Sequence, residues 1–365
     1  MKKNYLEKMK QKAKDVLPKP VVRPLIRLWH CFFYFRGRDY WGFKRNYEKF
    51  GCKEPYIQNK MKWLFLYVTL GASAKDYFLF DFSHKKWDEI DEFVTLRRRR
   101  KFTESLNANG HREYVEDKVL FHEKFKEYTH RDYLDMNKCS YEQFQKFVHK
   151  HGVVIAKPAD GFDGKGIFLI CETDDIQSAW KKQREDHYIC EEVVKQSGIL
   201  HEMNPGTCNT LRVNVFNANR KPKVINAIFR VGKGDGVVDN FHQGGYAMMV
   251  DVASGKVCTD ALNIHGKRFS KHPDNRIAFN GLEIPCWNKV VELAKNAANI
   301  IDDVPYTSWD ICVSTGGGVL IIEGNTYGNT DFQQCIDMNG KWRIYKQFWN
   351  LVKTERRLQW KRKKE

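Results

Sequence analysis

Two groups of residues in this 365-residue sequence could do chemistry together. The first lies in VVIAKPADGFDGKGIFLI at 153–170, where Gly161, Gly164 and Gly166 sit between two apolar runs and Lys157 ends the first run. Glycines let backbone amides approach an anion and admit left-handed dihedrals, so the stretch suits phosphate. Walker loops and dinucleotide fingerprints both lead into a helix. Here Gly166 leads into IFLIC, whose β-branched and aromatic residues predict a strand. The loop is therefore a flap between antiparallel strands, with Lys157 on the face of Val153 and Ile155. A plain glycine-rich hairpin with a solvated lysine is the alternative that this stretch leaves open.

The second group lies in TSWDICVSTGGGVLIIEGN at 307–325. A four-residue turn at Thr315–Gly318 would pair Ser314 with Val319 and Asp310 with Glu323. The two acids would then be directly opposed, with Cβ atoms about 5 Å apart, and Asn325 would share their face. Opposed like charges need a cation between them. Asp, Glu and Asn offer only hard oxygen ligands, which suits Mg2+ bridging to phosphates. The alternatives are an acid paired with Lys or Arg, or a bulge that shifts the register. The flanking ICV and VLII place the hairpin in a core, where unpartnered carboxylates would be costly.

The elements that position these groups change in texture along the chain. Residues 1–55 form a basic, aromatic-rich arm, with Pro18 and Pro20 ending a first helical stretch. Residues 56–150 read as mainly helical, with Ile90, Phe93 and Leu96 at helical spacing and a further helix in EDKVLFHEKFKEY. The run Arg97–Lys101 could grip phosphate, although such runs are usually solvated helix faces. From 151 to 350 short strands are expected at 153–157, 167–171, 187–194, 211–216, 223–231, 245–251, 307–314 and 319–324, interrupted by one helix after Pro285. Residues 151–200 would carry the flap and 201–350 the acidic hairpin, with a basic tail at 351–365.

The net charge of +17 calls for an anionic partner, such as phosphorylated substrates, nucleic acid or an anionic membrane surface. Arginines interleaved with Trp29, Phe32, Phe33, Phe35 and Trp41 suit a headgroup zone, so residues 1–45 are a candidate membrane-surface arm. Packing of the same aromatics on the main domain is the alternative. The ten cysteines form no CxxC pair, which argues against zinc and for free thiols in a reducing compartment. Neither a secretory signal nor a membrane-spanning run is evident, so a cytoplasmic protein is expected, peripheral at the inner face of the membrane if the arm binds there.

A phosphate flap with a strand lysine, followed far downstream by a D…ExN hairpin, resembles the ATP-grasp superfamily. AKPADGFDGKGIFLI, YICEEVVKQ, NTLRVNVF, DNFHQGGYAMMVD, HPDNRIAFNGLEIPCW and SWDICVSTGGGVLIIEGN, in that order, resemble the sugar-transfer-associated ATP-grasp proteins of polysaccharide biosynthesis loci. The resemblance implies an α+β fold in which two subdomains clasp ATP, behind a helical, basic N-terminal region. It implies that Lys157 contacts the ATP phosphates and that Gly161, Gly164, Lys165 and Gly166 cover them. Glu191 and Glu192 match the hinge that holds adenine and ribose, and Lys118 matches a lysine that reaches the nucleotide. Asp310, Glu323 and Asn325 match the Mg2+ ligands, while Arg212, Arg230 and Asn240 would face the same cleft. Some ATP-grasp ligases, such as D-alanine–D-alanine ligase, place a basic residue two positions before the metal aspartate, where this chain has Ser308.

The implied activity is a carboxylate–amine ligase using ATP and Mg2+, acting through an acylphosphate on a sugar acid or amino acid. No GxSxG elbow or Cys–His nucleophile motif competes with it. Phosphoryl transfer to a hydroxyl on the same fold is the alternative, followed by a non-enzymatic binder of nucleic acid or membrane surface. Specific nucleic-acid binding is not expected, because that reading leaves the acids at 310 and 323 unexplained.

Overall fold

The computed structural model describes residues 38–107, 110–161, 166–234, 241 and 244–362. Gly164, Lys165, Asn240 and most of the proposed membrane arm lie outside them. The chain divides into two compact units, one of the described residues up to Lys101 with Met338–Arg343, the other of Phe102–Asp337 with Ile344–Glu365. This division does not coincide with the expected boundaries at 55 and 150. No helix among the described residues is long and apolar enough to cross a membrane, and every described cysteine is a free thiol.

The first unit is helical, built on buried rings: Phe43 stacks on Trp63 at 4.7 Å, and Phe80, Phe82 and Phe93 pack together nearby. Ile90, Phe93 and Leu96 do not share a helix; Trp87–Asp91 and Leu96–Asn107 are separate. The Asp76 carboxylate ends the break by accepting the Leu96 amide at 2.8 Å. Arg97 opens the basic run, and its guanidinium donates to the carbonyls of Tyr67 and Val68 at 2.8 and 3.0 Å. These carbonyls lie at the C-terminal end of helix Tyr56–Leu70, where the dipole favours a cation.

The second unit carries two antiparallel sheets. The smaller contains β1 (Tyr133–Asp135), β2 (Val153–Pro158), β3 (Phe168–Cys171) and β4 (Tyr188–Glu192), in the order β1-β4-β2-β3. The larger contains β5 (Thr210–Ala218), β6 (Lys221–Val231), β7 (Tyr246–Val250), β8 (Ala261–Asn263), β9 (Arg268–Phe269), β10 (Tyr306–Val313) and β11 (Val319–Asn325), ordered β11-β10-β5-β6-β7-β8-β9. All eight expected strands are present. The short β1, β8 and β9 were not foreseen, nor were helices Ile176–Glu185, Gly198–Met203 and Thr330–Asp337.

Alternation divides the large sheet into an apolar face and a chemical one. Leu211, Val213 and Val215 of β5, Phe229 of β6, and Trp309, Ile311 and Val313 of β10 enter one core with helix Trp287–Ile300. Pro285 lies two residues before that helix, which buries Val290, Ala294 and Ala297. The opposite face presents Thr210, Arg212, Arg230, Ser308 and Asp310, all buried. Trp309, between Ser308 and Asp310, is completely buried and meets Phe125 edge-on at 5.1 Å. Trp309→Ala should lower unfolding free energy by about 3–5 kcal/mol in denaturant titrations, the usual cost of emptying so large a core site.

Candidate active site

The hairpin β10–β11 reaches the expected opposition by an unexpected route. Its turn is one residue shorter than predicted: Val313 faces Val319, and the Ser314 amide donates to the Gly318 carbonyl at 2.8 Å. Gly316 and Gly317 take φ of 82° and 77°, values that favour glycine, which explains the glycine run. That shorter turn alone would slip the acids out of register. A bulge between Ile311 and Asp310 absorbs Ile322, so that Ile311 faces Ile321 and Asp310 faces Glu323. Pairing with β5 places Arg212 on the other side of Asp310.

Asp310 is completely buried and doubly held, with Arg212 Nε and Nη2 donating to its two oxygens at 2.7 Å each. Arg230 Nη2 lies 3.1 Å from one of those oxygens and also donates to Thr210 Oγ1. Burial opposes ionisation of Asp310, but Arg212 and then Arg230 outweigh it and hold the carboxyl below its usual range. Glu323 moves the other way, raised by burial and by the Asp310 carboxylate opposite. Arg212 Nη2 is 3.8 Å from Glu323, too far for a direct hydrogen bond. Asn325 faces Ser308 two ladder steps on, and its Oδ1 accepts the Gly328 amide at 2.8 Å.

Across a cavity of about 620 Å³, the small sheet supplies the flap residues. Lys157 points into the cavity wall but is buried, its ammonium 2.7 Å from Glu191 Oε2. Lys118 fastens the flap base: its ammonium donates to the Gly161 carbonyl at 2.8 Å, and its amide to Ala159 at 3.1 Å. Burial lowers the Lys118 pKa. Gly166 sits at the far foot of the flap with φ of 73°, where a Cβ would come within 2.8 Å of the Tyr188 hydroxyl.

Glu191 has a role that its spacing did not reveal. One oxygen meets His122 Nε2 at 3.0 Å, and the other is shared by Lys157 and Arg131. Burial opposes its ionisation, yet Arg131, Lys157 and His122 together hold it well below the carboxylate range. With both oxygens occupied, Glu191 anchors Lys157 at the cavity wall. Glu192 lies on the cavity wall at the start of the hinge, its carboxylate accepting the Asp132 amide at 3.3 Å. The segment after β4 is tied to the β10–β11 hairpin, because Thr315 donates to the Lys195 carbonyl through its amide and hydroxyl at 2.9 and 3.1 Å.

Thus Lys118, Lys157, Gly161, Glu191 and Glu192 line the same cavity as Arg212, Arg230, Asp310, Glu323 and Asn325. The last three fit a small hard cation: two opposed carboxylates beside an amide oxygen, on one wall. Ile155, Leu169 and Ile322 add apolar surface, and Phe241, Tyr327 and Phe332 were not foreseen there.

Two sheets close on one cavity, one bearing Lys157 and the other the acidic hairpin, the arrangement expected from the resemblance to ATP-grasp proteins. Residues 181–343 match the family model described as Sugar-transfer associated ATP-grasp. Among solved structures, the chain is similar to N5-carboxyaminoimidazole synthase from Aspergillus clavatus with ADP and 5-aminoimidazole ribonucleotide, at 11% identity and TM-score 0.38, over 59% of this chain and 44% of that one. It is also similar to the ATP-grasp ligase PsnB with minimal precursor, Mg and ADP, at 14% identity and TM-score 0.41, over 66% and 59%. D-alanyl-alanine synthetase A from Vibrio cholerae is similar at 14% identity and TM-score 0.37, over 62% and 65%. The chain therefore spans less than two thirds of the length of these proteins. No curated protein sequence matches it.

Glu191→Gln would leave the Lys157, Arg131 and His122 cluster around a neutral amide and should cost about 3–5 kcal/mol at pH 7. Because the folded carboxyl titrates below its unfolded value, this stabilisation is complete at neutral pH and fades below about pH 4. Denaturant titrations of both proteins at neutral pH and near pH 3.5 should show the gap narrowing as pH falls.

Proposed function

We propose that this protein is an ATP- and Mg2+-dependent carboxylate–amine ligase working through an acylphosphate. The observation that carries the reading is the opposed Asp310–Glu323 pair, backed by two buried arginines and facing a lysine flap across one cavity. Apolar Ile155, Leu169 and Ile322 suit the faces of a planar base, beside a hinge that begins at Glu192. Lys118 and Lys157 lie where triphosphate oxygens would pass between flap and hairpin. Asp310, Glu323 and Asn325 would hold Mg2+, which when bound offsets phosphate charge.

The reaction needs no covalent enzyme intermediate, so positioning and charge neutralisation carry the rate. A substrate carboxylate oxygen bonds to the γ-phosphorus as the bond to the ADP oxygen breaks. The amine nitrogen then attacks the acyl carbon, loses a proton, and inorganic phosphate departs. Arg212 and Arg230, buried and fixed by Asp310, supply preorganised positive charge to the acylphosphate oxygens. With Ser308 two positions before Asp310, these arginines provide the charge that other ligases take from that position. By the family match, we infer a sugar acid or amino acid of surface polysaccharide synthesis as the carboxylate partner.

ADP release by the purified protein with Mg2+ and panels of sugar acids, amino acids and amines tests this, with mass spectrometry of the product. An amide is expected, whereas a phosphorylated hydroxyl compound would replace the ligase reading with phosphotransfer. Asp310→Asn and Glu323→Gln should each lower kcat by roughly 10²-fold or more, the scale of losing a preorganised electrostatic group. Unchanged turnover in both variants would remove the metal assignment.

A further inference from the structure

Strand β11 is an edge strand of the seven-stranded sheet, so half of its backbone groups find no partner in the ladder. Its bulge at Ile322, which brings Glu323 opposite Asp310, withdraws a further group from pairing. Arg131 meets that defect. Its Nη2 donates to the carbonyls of Ile322 and Ile321 at 2.9 and 3.3 Å. Its Nη1 binds Glu191, the carboxylate that also holds Lys157. The Arg131 side chain is only 3% exposed, and its Nε has no partner among the described residues, so the fork is committed to these two tasks.

We propose that Arg131 is the positioning residue of the site, holding the bulge that sets the Asp310–Glu323 opposition and coupling it through Glu191 to the flap lysine. This inference rests on reading the cavity as an ATP and metal site. A planar fork is needed because one group must satisfy backbone carbonyls on one sheet and a carboxylate on the other. Lysine at this position could meet Glu191 or the carbonyls, but not both in the same geometry. The arrangement places flap and hairpin on one rigid linkage: Lys157 to Glu191, Glu191 to Arg131, and Arg131 to the backbone beside Glu323.

The test uses the full chain with Arg131→Lys and Glu191→Gln, ATP as nucleotide and Mn2+ as the spectroscopic probe. Hydrogen exchange of ligand-free protein should show faster exchange across 319–325 in Arg131→Lys. Electron paramagnetic resonance should show Mn2+ held roughly tenfold or more weakly in its ATP complex, the scale of losing a group that orients metal ligands. Calorimetry of ATP without metal should show a smaller loss than the Mn2+ measurement in this variant, because Glu191 still holds Lys157. Glu191→Gln should show the reverse split, with the larger loss in metal-free ATP binding and the smaller in Mn2+ affinity, since Arg131 keeps its contacts to the bulge carbonyls. Wild-type exchange across 319–325 and wild-type Mn2+ affinity in a folded Arg131→Lys protein would overturn the proposal. If that variant does not fold, equal losses of ATP and Mn2+ affinity in Glu191→Gln would overturn it. Absence of an ATP-dependent Mn2+ site in the wild-type protein would overturn the ATP-site reading, and the exchange result would still decide whether Arg131 holds the bulge.

Discussion

Two carboxylates set face to face inside a protein repel each other and lose hydration, and the site depends on how Asp310 and Glu323 tolerate this. The answer is asymmetric. Asp310, fully buried, is fixed as an anion by Arg212 and Arg230, while Glu323 stays half-exposed towards the cavity and harder to ionise. In the proposed metal site, a cation would meet one carboxylate held by arginines and one that faces the cavity. That asymmetry explains why β5 and β6 must lie immediately beyond β10, because only they bring both arginines to Asp310.

A second buried carboxylate, Glu191, performs the matching task in the small sheet. It collects Lys157, Arg131 and His122 in a region where single charges would be costly. The lysine is thereby kept at the cavity wall. Polar contacts join the parts that carry the two sheets, among them Thr315 on the Lys195 carbonyl, Gln196 on the Val313 carbonyl and Arg131 on the β11 carbonyls.

Much of this was legible in the sequence. Period-two alternation gave the main strands, and the acids facing each other across a glycine turn pointed to a metal pair. The opposition came from two deviations that cancel, a shorter turn and a bulge at Ile322, and alternation cannot show a defect that restores its own phase. Arg131 and His122 were invisible because their meaning lies in tertiary proximity to Glu191, about sixty to seventy residues away in the chain. The Arg97 run could be read as a phosphate grip or, more usually, a solvated face, and its first residue instead caps a helix of its own unit.

The strand order has a consequence for how the molecule assembles. The β10–β11 hairpin is local and can form early, whereas Arg212 joins Asp310 from 98 residues away. Early in folding the two acids would face each other without their arginines, so the hairpin gains little until the long-range sheet closes. Completion of the charge cluster thus becomes a late, cooperative event, and a chain that has not finished folding would lack a competent site.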